Sequence, residues 1–113
     1  MAPEKLEQTE ADGVITITAE QISGEVGAAA ATGAWWAFFS AHRIFNLRIN
    51  IPVVPGSLAW VSLSEAQPGS NTPFLGAATM HTYNVVPQDG FMMVRGEIDW
   101  DSDLLTRASI WLG

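Results

Sequence analysis

Few residues in this sequence have types and spacing that could do chemistry. There are two histidines, His42 and His81, one tyrosine, Tyr83, and an alternating acidic run, Asp99, Asp101 and Asp103. The histidines are the only imidazole bases, and neither lies in a His-Glu-x-x-His, Gly-x-Ser-x-Gly or phosphate-cradling glycine motif. His81, two residues from Tyr83 on a strand, could serve as a general base if the pair lined a pocket. A core histidine satisfied by a neighbouring hydroxyl or carbonyl is the commoner arrangement.

The three aspartates open a calcium-loop signature, but the position that needs glycine is Leu104 and the one that needs a bidentate glutamate is Ile110. A turn sharpened by aspartates is the simpler reading, with a weak cation site as the alternative. Glu97 and Asp99 share a strand face at a spacing of about 7 Å, which inverting glycosidases also use. Pairs of that kind are common on solvated strand faces. The chain has no cysteine, which removes disulfides, thiol catalysis and cysteine-bound zinc together. No cofactor is expected.

The elements that would position these residues read as β. The C-terminal third contains three strand-like runs, Met80 to Val86, Phe91 to Trp100 and Leu104 to Leu112. They are separated by Pro87-Gln88-Asp89-Gly90 and Asp101-Ser102-Asp103, both of turn composition. Read as two hairpins, these runs make an antiparallel three-stranded meander. Val86 then faces Phe91, His81 faces Gly96, and Glu97 faces Arg107. Met92, Val94, Gly96, Ile98 and Trp100 share an apolar face with Leu104, Thr106, Ala108, Ile110 and Leu112. Gly96 and Ala108 leave a notch in that face, which close packing requires something large to fill, most simply an aromatic ring from elsewhere in the chain.

Upstream, Val14 to Thr18 is β-branched and alternating, a first strand. Phe45, Leu47, Ile49 and Ile51 alternate with Asn46, Arg48 and Asn50, a strand with one buried face. Pro52 to Gly56 interrupts pairing, Leu58 to Ser64 is a further strand, and Gln67 to Pro73 is an exposed loop. Phe74 to Ala78 extends the strand that follows. Residues 20–33 combine an alanine run with three glycines and read as a short helical turn near Ala28 or an irregular crossover. The fold class is therefore all-β, an antiparallel sandwich or flattened small barrel of roughly six to seven strands. Its domain, residues 14–113, follows an acidic flexible tail, residues 1–13.

Composition bounds the function. The net charge is −7 and only 15% of the residues are charged, against about 25% in an average soluble domain. The five cations are scattered, which argues against nucleic acid. The acidic N-terminus is neither a signal nor a transit peptide, and the compartment stays unassigned. The uncharged run Val26 to Ala41 is shorter than the roughly 20 apolar residues a bilayer requires, so no membrane span is expected.

Five Trp and five Phe on so charge-poor a chain point to an apolar surface that meets a partner. Trp35, Trp36, Phe38 and Phe39 are four rings in five residues, and a strand cannot aim all of them inward. With Trp60, Trp100 and Trp111 they are the candidate interface or ligand-binding residues. The expectation is a non-enzymatic module that self-associates as a homo-oligomer or as a subunit of a larger assembly. A second reading is a small barrel that binds or isomerises a hydrophobic molecule in a pocket lined by Trp60, His81, Tyr83 and Trp100. A third is a carbohydrate-binding module that stacks glycans on exposed Trp beside the Gln67 to Pro73 loop.

Overall fold

The computed structural model describes residues 7–22 and 32–113. Ten strands form two five-stranded sheets. The first runs in the order β1 (Thr9–Ala11), β2 (Val14–Thr18), β5 (Arg43–Asn50), β9 (Phe91–Asp99), β8 (Thr79–Pro87). The second runs β3 (Glu20–Gln21), β4 (Gly33–Ala41), β10 (Leu104–Leu112), β6 (Ala59–Ala66), β7 (Pro73–Phe74). Every pairing is antiparallel except the parallel β2–β5. One sheet curls into a half-barrel, and β8 lies against β6. The all-β class is as the sequence indicates, with more strands. β7 pairs with β6 and does not extend β8. The expected helical turn near Ala28 falls outside the described residues, and among those described no helix is long and apolar enough to cross a membrane.

Strand periodicity explains which side chains are inside. Alternate residues of a strand point to opposite faces, and the inward sets are Phe45, Leu47 and Ile49 of β5, Met92, Val94 and Ile98 of β9, and Trp35, Ala37 and Phe39 of β4. The inward residues of β10 are Thr106, Ala108, Ile110 and Leu112. Thr106 is the buried polar residue among those described, and its hydroxyl is satisfied by donating to the Leu104 carbonyl at 3.0 Å. Phe39 and Phe45 meet across the core with ring centroids 5.1 Å apart.

The C-terminal meander is corrected. β8 and β9 do form a hairpin, but β9 pairs with β5 while β10 pairs with β4 and β6. The chain from Trp100 to Asp103 is therefore an arch from one sheet to the other. Apart from Trp100 and the half-buried Leu104, the two apolar rows read from the sequence are buried, yet they face each other across the sandwich. Glu97 and Arg107 consequently lie on different sheets.

The expected notch is not one site, because Gly96 and Ala108 lie on different sheets, but an aromatic ring does fill the space at Gly96. A Cβ on Gly96 would stand 2.7 Å from Cζ of Phe45 and 2.8 Å from the His81 carbonyl oxygen. The β8–β9 register also differs, by two residues at Val86 and by one at His81, which faces Glu97. Val86 faces Met93, and a bulge between Thr82 and Asn84 sets Tyr83 on the outer face with His81. Gly90 at φ +85° closes this turn.

β4 and β5 are joined by a second arch at the same end, where Arg43 takes a left-handed φ of +60°. His42 Nδ1 lies 2.6 Å from Asp103 Oδ1, and Arg43 lies 3.7 Å from Asp99, so two pairs tie the arches together. In the acidic N-terminal stretch, Asp12 and Gly13 both have positive φ, as a two-residue type I′ hairpin requires. That turn brings β1 onto β2. The side chain of Gln8 makes two bonds to the Ser40 backbone, accepting from its N–H at 2.7 Å and donating to its carbonyl at 3.1 Å.

Candidate functional site

The outward face of the second sheet is built from the residues that alternate with its core set. Strand register places them in rows. Ile22, whose N–H donates to the Ala34 carbonyl at 2.8 Å, begins a row that continues through Ala34, Trp111 and Trp60. The next row is Glu20, Trp36, Ser109 and Ser62, and the third is Phe38, Arg107 and Ser64.

Trp60 and Trp111 are directly opposed on neighbouring strands and are 57% and 55% exposed. Beside them Ala34 is too small to fill its place in the row. The result is an open groove of about 470 Å³ between the indoles and Ile22, with Ser62, Ser109 and Arg107 among its lining residues.

Trp36 and Phe38 also point outward but are half-buried, with ring centroids 5.5 Å apart. Trp36 is dressed by charge on two sides. Its indole N–H donates to Glu20 at 3.5 Å, and the Arg107 guanidinium lies 4.6 Å from its ring centroid. Arg107 Nε also donates to Ser109 Oγ at 3.0 Å, which draws the guanidinium back to the level of Trp36. Cation–π contacts of this kind contribute about 0.5–1 kcal/mol at exposed sites.

Of the aromatic residues singled out in the sequence, this face gathers Trp36, Phe38, Trp60 and Trp111. Trp35 and Phe39 are core residues, because β4 is a regular strand and its odd-numbered positions face inward. Trp100 sits on the β9–β10 arch, 38% exposed. Glu20, Ile22, Ser62, Arg107 and Ser109 were not singled out. Alternation of Arg107 and Ser109 with Trp111 along β10 carried the signal for two of these positions, but the assumed hairpin put Arg107 against Glu97.

The remaining candidates do not assemble. Trp60, His81, Tyr83 and Trp100 line no common cavity: Trp60 is outside the second sheet, His81 and Tyr83 are outside the first, and Trp100 is at the arch. His81 and Tyr83 stack on each other in the open, with centroids 5.9 Å apart and planes 5° from parallel. The Tyr83 hydroxyl donates to Glu97. That bond, with the negative charges of Glu97 and Asp99 nearby, raises the phenol pKa above its ordinary 10.0, since a phenolate there would lose its acceptor and face two anions.

Asp99 and Asp103 turn to Arg43 and His42, and among the described residues no three His, Cys, Asp or Glu side chains converge as a metal site. Compared with known proteins, the chain matches no family model, no curated protein and no solved structure.

Proposed function

We propose that the protein is a non-enzymatic module that associates with further copies of itself through the outer face of the second sheet. One observation carries this reading: the side-by-side exposure of Trp60 and Trp111, with Ile22 and Leu58 also exposed. Interface centres are enriched in Trp and depleted of Lys, Glu and Asp, and adjacent exposed indoles on a small domain are the usual material of binding hot spots. Light scattering on the eluting protein at about tens of micromolar, a concentration that populates complexes of micromolar affinity, tests it. The expected mass is a multiple of 12.2 kDa, falling to the monomer in a Trp60→Ser, Trp111→Ser double variant. A monodisperse wild-type monomer would sink the reading.

The groove itself favours a second reading. Hydroxyls of Ser62 and Ser109 lie in the row beside two flat rings, a combination that suits a sugar or another planar, partly polar ligand. Glycan-array binding by a monomeric wild type, lost in Trp111→Ala, would move the assignment there.

A further inference from the structure

The outer face of the second sheet is complementary to itself, and this gives the association a definite geometry. Resting on the self-association just proposed, we infer that a second copy docks face to face about a twofold axis lying in the plane of the contact and running along β4 over Trp36.

The derivation needs only strand register. Neighbouring strands are about 4.8 Å apart, so β3 and β10 flank β4 at equal distances on opposite sides. Rotation about an axis along β4 lays β3 of one copy over β10 of the other, and an isologous interface makes each such contact twice. Position along the strands is unchanged by this rotation, so residues of one row meet the partner's residues of the same row.

Ile22 and Trp111 share a row, on β3's side and on β10 respectively. The axis therefore brings the exposed Ile22 of each copy onto the exposed indole of Trp111 in the other. Glu20 belongs to the row of Trp36. Arg107 is one row further along, but its guanidinium is folded back over the Trp36 ring and beside Ser109, into that same row. Glu20 of one copy then meets Arg107 of the other.

The charges are available for this. Among the described residues the ion pairs are His42–Asp103 and Arg43–Asp99, and no described residue of the same copy holds Glu20 or Arg107 by an opposite charge. A single axis thus satisfies an apolar pair and an ionic pair together, with Trp111 at the centre of each apolar contact and Trp60, two strands from the axis, at its rim beyond the partner's β3. A slip by one row would put Glu20 against Trp111 and Ile22 beyond the ring.

Two variants separate this geometry from association as such. Glu20→Arg and Arg107→Glu each place like charges at both crossing points, and each is expected to weaken self-association in analytical ultracentrifugation by about tenfold or more, a modest figure for like charges brought face to face. Mixed in equal amounts, they present opposite charges again and form a 1:1 heterodimer. A second measurement does not depend on charge. The chain has no cysteine, so Ile22→Cys mixed with Trp111→Cys and oxidised should yield a covalent 1:1 dimer, and neither variant alone should.

A monomeric wild type overturns the self-association reading itself. A dimeric wild type whose charge reversals have no effect or are not rescued by mixing, or whose cysteine variants bridge equally well alone, leaves association standing and overturns the axis.

Discussion

The two sheets present opposite solutions to the same problem, an outward face on a chain with few charges. On the first sheet the polar side chains are spent on each other. Arg95 Nε donates to Asn46 at 3.0 Å, Arg48 Nε to Asn50 at 3.2 Å, and Asn50 to Thr18 at 3.5 Å, while the Arg48 guanidinium lies 3.8 Å above the Phe91 ring. These long side chains lie flat and cover the apolar atoms beneath them. On the second sheet two indoles stand beside an alanine and two serines, side chains too short to cover them. Three of the five cations, Arg43, Arg48 and Arg95, sit on the first sheet, and the second has Arg107. Sparse charge is therefore unevenly placed, and the face with fewer cations is the one with exposed indoles.

Breaking the contrast at the second face should have the largest effect. Removing both indoles, Trp60→Ser with Trp111→Ser, is expected to weaken self-association by about 2–4 kcal/mol, the range of interface hot spots. The fold should hardly change, since both rings are already largely in water. Sedimentation and a thermal melt on the same sample would show whether the two effects part in this way.

A change in the core that both faces share should instead move stability alone. Gly96→Ala forces a methyl against Phe45 and a backbone carbonyl, and overpacking of this sort costs about 1–3 kcal/mol. A lowered Tm with unchanged Trp exposure is the expected result; an unchanged Tm would show that β8 and Phe45 yield freely.

On the first face, losing one member of a hydrogen-bonded row should cost less. Asn46→Ala leaves Arg95 without its side-chain acceptor on an exposed surface, and about 0.5–1 kcal/mol in urea unfolding is expected. Tyr83 offers a titration that needs no folding measurement, because it is the sole tyrosine. Its ultraviolet ionisation should occur above pH 10.0 and fall back toward that value in Glu97→Gln. The folded pKa is raised, so the contribution to stability is fully present below the unfolded pKa near 10 and is lost as pH rises through the folded value. The smallest effect belongs to Asp103→Asn at the arches, under about 1 kcal/mol for a solvent-exposed pair.

How much of this was legible in the sequence depends on what alternation can say. It reports which residues face the core, and it did so well for β5 and, across the β9–β10 boundary, for Met92, Val94, Ile98, Ala108, Ile110 and Leu112. It does not report which strand lies beside which. Asp101-Ser102-Asp103 has the composition of a hairpin turn, and nothing local distinguishes that from an arch between layers. One extra residue at the Tyr83 bulge reversed the parity of His81 and Tyr83, turning a supposed pocket wall into an exposed stack. Asp12-Gly13 carried the strongest short hairpin signal in the chain, hidden by the acidic residues around it. For the site, the sequence suggested exposed rings, but which rings depended on the phase of β4, and the groove depended on β10 lying between β4 and β6.

The two arches also set the order in which the chain can assemble. Because β4 finds its long partner only in β10, and β5 finds its antiparallel partner only in β9, each has only a shorter strand, β3 and the parallel β2, to pair with when it first emerges from a ribosome. Loop closure over such separations is entropically slow. β4, with the Trp36 ring it carries, waits for its long partner until the last strand arrives, and the sandwich closes around β10 once the β1–β2 and β8–β9 hairpins have formed.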